Sequence, residues 1–412
     1  MTSETSTFIH SVVGDKIYIA QGVESLPYGS AFRSFRPAGL KYHPYCDDFG
    51  PMNLASVVSF VEQLDRETDQ YPDTRIVYCV DSGKRAMTNA AFLMGCYMIL
   101  KMGMRSSDVA DCFDWLDERL VEHYRDATYT EADFRLTLED CWRALERGCA
   151  IGWVDTTTDG ENWGEVNIHE YRHYDNPCNG DFHMVVPGMI IAFQGPKDLG
   201  GLDYRDDEHG HRVFSPSAYA DIFAQDFNVA AVVRLNEAEY DASAFEAAGI
   251  RHHDLEFDDC TCPPNHVVAA FLAAADAAIE GGGAVAVHCK AGLGRTGTLI
   301  ALYLMRSWGF GAREAMGWLR IMRPGSVIGP QQHYLCSMEA RASAEPAGPA
   351  ASAPQHAGSR GPSPLPDALA DLLGSLRGAE SHGQRLAEEV AEGLERRGAA
   401  RMAALREECP TQ

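Results

Sequence analysis

The chain has 412 residues, 45% of them hydrophobic and 9% aromatic, which suits a folded protein of two ordinary domains plus an appendage. It holds 35 Lys and Arg against 59 Asp and Glu, a net charge of −24; the stretch from Arg341 onward takes 8 and 10 of these, so residues 1–340 carry 27 against 49, or −22. That balance argues against nonspecific binding to nucleic acid or to an anionic membrane, and it favours a basic peptide as partner. No apolar run is long enough to span a bilayer, and Met1-Thr-Ser-Glu-Thr-Ser lacks the basic and apolar regions of a secretory leader. The 12 cysteines are scattered rather than framed as disulfides, so a reducing compartment, nucleus or cytoplasm, is expected.

In chain order, residues 8–28 open with short strands. A helix is expected after Pro51, with Leu54, Val57, Val58 and the run Phe60 to Leu64 on its apolar face. Arg75 to Val80 reads as a strand, Met87 to Met102 as a buried helix, and Ser106 to Leu120 and Glu131 to Gly148 as further helices. The strand–loop–helix at 75–102 presents Cys79 and Arg85 at Cys-x5-Arg spacing. Ser82 and Ala86 stand there where the second such junction has Gly292 and Thr296, and Gly83 is one place out of register, so a degenerate scaffold is the better reading than a second site. A polar, turn-rich boundary at 155–163 leads to a connector, 161–182, that carries Glu170, Asp175 and Asp181. Beyond His183, strands within 184–193 and 229–235 alternate with helices, as in a mainly parallel sheet covered on both faces.

The chemistry concentrates at His288-Cys289-Lys290-Ala291-Gly292-Leu293-Gly294-Arg295-Thr296-Gly297. Ala284 to Val287 reads as a buried strand and Thr298 to Trp308 as a mostly buried helix, so the turn between them aims backbone N–H groups and a helix N-terminus into one concavity. That cradle suits a tetrahedral oxyanion, bound by the amides of 290 to 295 and by the planar fork of Arg295. Cys289 stands where the same amides and arginine would hold a thiolate, the form in which it is a nucleophile. A buried cysteine ending a core strand would leave Arg295 and both glycines without a purpose.

This string, with Phe257-Asp258-Asp259-Cys260-Thr261-Cys262-Pro263 before it and Arg323-Pro-Gly-Ser-Val-Ile-Gly-Pro-Gln331-Gln332 after it, resembles the cell-division-cycle 14 dual-specificity protein phosphatases. Asp48-Phe-Gly-Pro-Met-Asn-Leu54, Asn89 to Tyr97, Glu170 to Tyr174 and Asn179-Gly-Asp181 carry the likeness through residues 8 to 340. It implies two tandem α/β phosphatase-like domains: a non-catalytic one at 8–160, an acidic linker at 161–182, a catalytic one at 183–341 and a flexible tail at 342–412. It implies Asp259 as the general acid by register with the family's Phe-x-Asp-Gly, with Asp258 as rival and Cys260 in place of the glycine. Thr296 would hydrogen-bond the sulfur, His288 would support the loop, and Gln331 or Gln332 would orient water. Glu170, Asp175 and Asp181 would line a groove for a basic residue downstream of a phosphoserine followed by proline; Arg172 departs from that acidic pattern.

The expected activity is hydrolysis of phosphoserine, phosphothreonine and phosphotyrosine through a phosphocysteine, reversing proline-directed phosphorylation in cell-cycle control. It needs no cofactor and no metal. Competing readings are a silent phosphopeptide-binding scaffold, a phosphoinositide phosphatase, disfavoured by Leu293 between the two glycines, and an RNA 5′-phosphatase, disfavoured by the acidic charge. His252, His253, Cys260 and Cys262 lack a usual zinc spacing. In the tail, residues 342–366 read as a linker holding Ser363-Pro364, followed by helix-spaced leucines (Leu365, Leu369, Leu372, Leu376) suited to docking or self-association.

Overall fold

The computed structural model describes residues 8–23, 31–156, 162–208 and 210–344. The chain forms two units. One comprises the residues up to His43, Phe49–Arg125 and Arg135–Ile168; the other comprises Pro44–Asp48, Asp126–Phe134 and the residues from His169 on. The tail features expected beyond residue 344 lie outside the described residues.

In the first unit, β1 (Phe8–Val13), β2 (Ile17–Gln21), β3 (Phe32–Phe35) and β4 (Arg75–Val80) form a sheet in the order β1-β2-β4-β3. Only the β1–β2 pair is antiparallel. Helix α1 (Leu54–Gln70) starts where the Asn53 side chain accepts from the Ser56 amide, and it buries Leu54, Val57, Val58, Val61 and Leu64, one stripe at helical spacing. Helix α2 (Lys84–Met102) is buried on almost every face and ends at Gly103 in the left-handed conformation. Gly95 admits the Trp142 ring, which a β-carbon there would meet at 2.3 Å, and Trp142 Nε1 donates to the Phe92 carbonyl at 3.1 Å.

Two helices are shorter than periodicity suggested. Helix α3 (Ser106–Cys112) stops because the chain turns at Phe113 and Asp117, whose carboxylate accepts from the Arg119 amide. Helix α4 (Leu138–Ala150) starts at a capping box in which Thr137 and Asp140 bond each other's backbone amides. The ribbon β5 (Asn162–Trp163) and β6 (Val166–Asn167) follows.

The second unit opens with α5 (Ile168–Asp175) and the hairpin β7 (Phe182–Val186), β8 (Ile190–Phe193). A small antiparallel ribbon, β9 (Tyr204–Asp206) and β10 (Arg212–Phe214), precedes α6 (Pro216–Gln225). Then come β11 (Val229–Arg234), α7 (Ser243–Ala247), β12 (Arg251–Asp254), α8 (Asn265–Glu280), β13 (Ala284–His288), α9 (Gly294–Trp308), α10 (Ala312–Met322) and α11 (Pro330–Ala344). The sheet order is β12-β11-β13-β8-β7, parallel except at the β7 edge. β13 is fully buried at its centre, which is why its sequence is a continuous apolar run rather than an alternating one. Such a strand delivers the residue after its C-terminal end to a fixed place outside the sheet, and here that residue is Cys289.

Candidate active site

Cys289 is buried at the mouth of β13, and the five residues from it to Leu293 form a loop before α9. Every carbonyl of that loop is bound from outside it. His288 Nδ1 lies 2.9 Å from the Cys289 oxygen. The Gly195 amide donates to Lys290 O at 3.0 Å. Arg323 donates through Nη2 to Ala291 O at 3.0 Å and through Nε to Gly292 O at 2.9 Å. The Gly297 amide donates to Leu293 O at 2.9 Å. In a trans peptide the C=O and the following N–H point in opposite directions. Holding five successive carbonyls outward therefore turns the amides of 290 to 294 inward, as the anion cradle requires. Gly292 is obligatory: at φ +69 a β-carbon would come within 1.9 Å of Phe193 O.

Arg295 is buried at the start of α9, with Nη1 donating to the carbonyls of Phe257 at 2.9 Å and Leu235 at 3.3 Å. Its Nε has no hydrogen bond and lies 3.2 Å from Asp259 Oδ1. Asp259 lines, with Cys260, Cys289, Ala291, Gly294, Ile328 and Gln331, one small cleft. Asp258 is exposed and does not line it. Thr296 Oγ1 is buried without a hydrogen-bond partner among the described residues, and no side chain caps α9. Gln331 accepts from the Ile328 amide at 3.1 Å and donates to Thr261 O at 3.1 Å, tying the loop after α10 to the Asp259 loop. Gln332 faces elsewhere, accepting from Arg320 at 2.7 Å.

Behind the loop runs a polar chain with a deducible direction. The Cys289 carbonyl can only accept, so His288 Nδ1 carries the proton and Nε2 accepts from the Tyr240 hydroxyl at 2.7 Å. The Tyr240 oxygen then accepts from His252 Nε2 at 2.9 Å. Burial pushes His288 down to about 3, so it is neutral throughout the physiological range. Arg234 pins the Tyr240 carbonyl at 2.7 Å and pairs with Asp254 at 2.6 Å. Apolar support comes from Leu293, which packs with Tyr45, Cys46, Ala127 and Ile328, while buried Asp126 accepts from the Gly329 amide at 2.6 Å.

Of the connector carboxylates, Asp175 accepts from His183 Nε2 at 2.9 Å, and Asp181 accepts from Arg323 Nη1 at 3.0 Å at a left-handed φ of 49. Burial, then the Asp226 charge, pushes Glu170 above the ordinary carboxyl range. Two of the three expected groove residues are thus already committed to partners within their own unit. In the first unit, Cys79 is a ladder residue of β4 opposite Ala20, and Arg85 is paired with Glu122 at 3.0 Å. Among the described residues no His, Cys, Asp or Glu cluster could hold a metal ion; His252 is bonded to Tyr240 and Cys262 is exposed. No helix among them is long and apolar enough to cross a membrane.

No sequence pattern points to Tyr240, Asp126 or Arg323, although Arg323 stands in the quoted Arg-Pro-Gly-Ser stretch, and His252 stands out only as a metal-ligand candidate. A buried arginine signals itself only once its carbonyl partners are known.

A parallel sheet delivering a cysteine to a loop of inward amides, closed by an arginine, is the architecture of the dual specificity phosphatase domains. A family model described as dual specificity protein phosphatase, N-terminal half, matches residues 16–148, and one described as polymorphic toxin system, DSP-PTPase phosphatase, matches residues 215–309. Dual specificity protein phosphatase CDC14C of Symphalangus syndactylus is 39% identical over 298 residues, covering 72% of this chain and 58% of that protein. CDC14A of Homo sapiens is 39% identical over 300 residues (72% and 48%), and tyrosine-protein phosphatase CDC14 of Saccharomyces cerevisiae is 36% identical over 300 (71% and 52%). Over that span the chain is similar to the CDC14 dual specificity phosphatases. It spans about half to three-fifths of the length of these relatives.

Proposed function

We propose that the chain hydrolyses phosphate monoesters on protein serine, threonine and tyrosine side chains through a phosphocysteine. The observation that carries this reading is the set of five loop carbonyls bound outward around Cys289, which leaves an amide-lined cradle beside the Asp259 carboxyl. The relatives' names, dual specificity and tyrosine-protein phosphatase, agree with it.

In the proposed cycle the phosphoryl group sits on the amides of 290 to 294, and Arg295 Nε and Nη2 grip its oxygens. Cys289 attacks phosphorus in line, and Asp259 protonates the departing oxygen; a general acid of this kind is worth about 10²–10⁴-fold. Asp259, now a carboxylate, then activates water against the phosphocysteine. The orphaned Thr296 hydroxyl is the donor proposed to stabilise the sulfur as it leaves. Gln331, already bridging to the Asp259 loop, is proposed to orient the water. His288 stays neutral and fixes the loop.

Substrates are proposed to be phosphoproteins, with phosphoserine-proline and a downstream basic residue preferred, in cell-cycle control and in a reducing compartment. The proline preference rests on family likeness. The basic preference rests on that likeness and on the acidic chain; since Asp175 and Asp181 are already engaged, Glu170 and the general field support it best. Buried Leu293 supports protein over inositol-lipid substrates, because a cation for extra phosphates is missing from that place. The further partition proposed is the two phosphatase-like domains, the linker and the tail named above, with self-association through the tail.

The test is phosphate release from a phosphoserine-proline peptide with a downstream lysine, beside phosphothreonine, phosphotyrosine and alanine-for-proline versions. Turnover with the stated preference is expected. Tight peptide binding without turnover would overturn the enzyme reading in favour of a scaffold.

A further inference from the structure

Cys260 is an unusual occupant of its position. Its φ is +55, a left-handed conformation that is sterically costly for a residue bearing a β-carbon. Its side chain is nonetheless buried, and it borders the same cleft as Cys289, with Asp259, Gly294 and Gln331 around them. Neither cysteine is in a disulfide. Cys262, two residues on, is exposed, points toward Pro330 O at 3.9 Å, and does not border the cleft.

We infer that Cys260 is a modification site, the resolving thiol that captures oxidised Cys289 as a Cys260–Cys289 disulfide when the protein meets a peroxide. The inference rests on Cys289 being the reactive thiolate of the proposed phosphatase. In the first step the Cys289 sulfur attacks one oxygen of hydrogen peroxide; the O–O bond breaks, sulfur becomes a sulfenic acid, and the other oxygen leaves as hydroxide and is protonated to water. In the second step Cys260 gives up its proton and its sulfur attacks the Cys289 sulfur; the S–O bond breaks and water leaves. Two thiols and one peroxide thus yield one disulfide and two waters.

The electrostatics order these steps. Burial pushes the Cys260 thiol up to about 12, and the charges of Asp259 and of Cys289 add to the rise, opposed by Arg295. While Cys289 is a thiolate, Cys260 therefore stays protonated and does not compete as a nucleophile. Conversion of Cys289 to an uncharged sulfenic acid removes one of those negative charges and eases ionisation of Cys260. A disulfide needs α-carbons within about 7 Å, a demand met most readily by two residues on one cleft. Such a bond would occupy the nucleophile and shield it from irreversible oxidation.

The experiment treats the full chain, and its Cys260→Ser, Cys260→Gly and Cys262→Ser variants, with one equivalent and then with excess hydrogen peroxide. Free thiols are blocked, and intact mass and non-reduced peptides are measured. Cys260→Gly suits the φ of +55 and guards against misfolding of the serine variant. Wild type and Cys262→Ser are expected to lose 2 Da by a two-electron dithiol oxidation, show a Cys260–Cys289 peptide, and recover their own starting activity with dithiothreitol. Both Cys260 variants are expected to gain oxygen at Cys289 as sulfinic acid and to stay inactive after reduction. A wild type that gains oxygen without a cross-link, or links Cys289 to Cys262 or another cysteine, overturns the inference. Peptide mapping requires no turnover, so an untreated protein inactive on phosphopeptides would overturn the phosphatase reading separately.

Discussion

The molecule contains two strand–loop–helix junctions with a cysteine and an arginine six residues apart, and the second holds its loop carbonyls outward as an anion cradle would require. In the second unit β13 ends at His288, so Cys289 is the first residue off the sheet and the loop has five residues to curl around a ligand. In the first unit β4 runs through Cys79 to Val80, and only three residues remain before α2. Cys79 pairs in the ladder opposite Ala20 and packs with Ala20 and Val77. Arg85 is likewise held by Glu122 and lies over the Phe49 ring, whereas Arg295 keeps an unbonded Nε beside Asp259. Two extra strand residues, Cys79 and Val80, shorten the first loop from five residues to three. Spacing alone does not make a nucleophile; the point at which the chain leaves the sheet does.

The sharpest way to break this comparison is to make the same change in both places. Cys289→Ser should reduce phosphopeptide turnover to background, since a serine hydroxyl there is a far weaker nucleophile. Cys79→Ser should leave turnover in place and cost about 1–2 kcal/mol of stability, the price of a hydroxyl in an apolar cluster, read by urea denaturation. Loss of turnover in a folded Cys79→Ser protein would sink the assignment of one site.

A smaller effect separates the neighbouring acids. Asp259→Ala should lower kcat by about 10²–10⁴-fold and remove the limb of the pH–rate profile that reports the acid. Asp258→Ala, at an exposed position, should stay within about threefold of wild type at the same kcat. An inverted order would hand the role to Asp258.

The least of the three is a matter of acid stability. Burial lowers His183, His252, His253 and His288 in the second unit, His288 to about 3, and lowers His10 in the first. Between about pH 6.5 and 3 the unfolded chain binds a proton at His288 that the folded second unit refuses, and the other three lowered histidines act in the same direction, so stability is present above 6.5 and is lost as pH falls. The slope from fully buried His288 alone is about 1.4 kcal/mol per pH unit. Hydrogen exchange at pH 7, 5.5 and 4 should show the second unit losing protection before the first; simultaneous loss would contradict the histidine account.

The residues that touch one another along the chain were legible without coordinates. The Cys289–Arg295 loop, the strand before it and the helix after it lie within some twenty-five consecutive positions, and local steric rules act on such neighbours directly. The mainly parallel sheets followed from alternating elements for the same reason. Helix ends were less legible, because Asp117 and Thr137 compete for backbone amides in ways that an apolar stripe does not register.

What only the tertiary structure decided is the direction in which groups point. Three of the five loop carbonyls face outward because Arg323 and Gly195, distant in sequence, take them, and the amides that follow turn inward with them. The tautomer of His288 follows from a carbonyl on one side and Tyr240 on the other. Asp259 rather than Asp258 borders the cleft, and Asp175 and Asp181 turn to His183 and Arg323, since a buried histidine or arginine must find partners. Sequence by itself determined which chemistry is present in this protein. Folding determined its aim, because a hydrogen bond depends on the position and angle of both partners, and those are set only when the chain closes on itself.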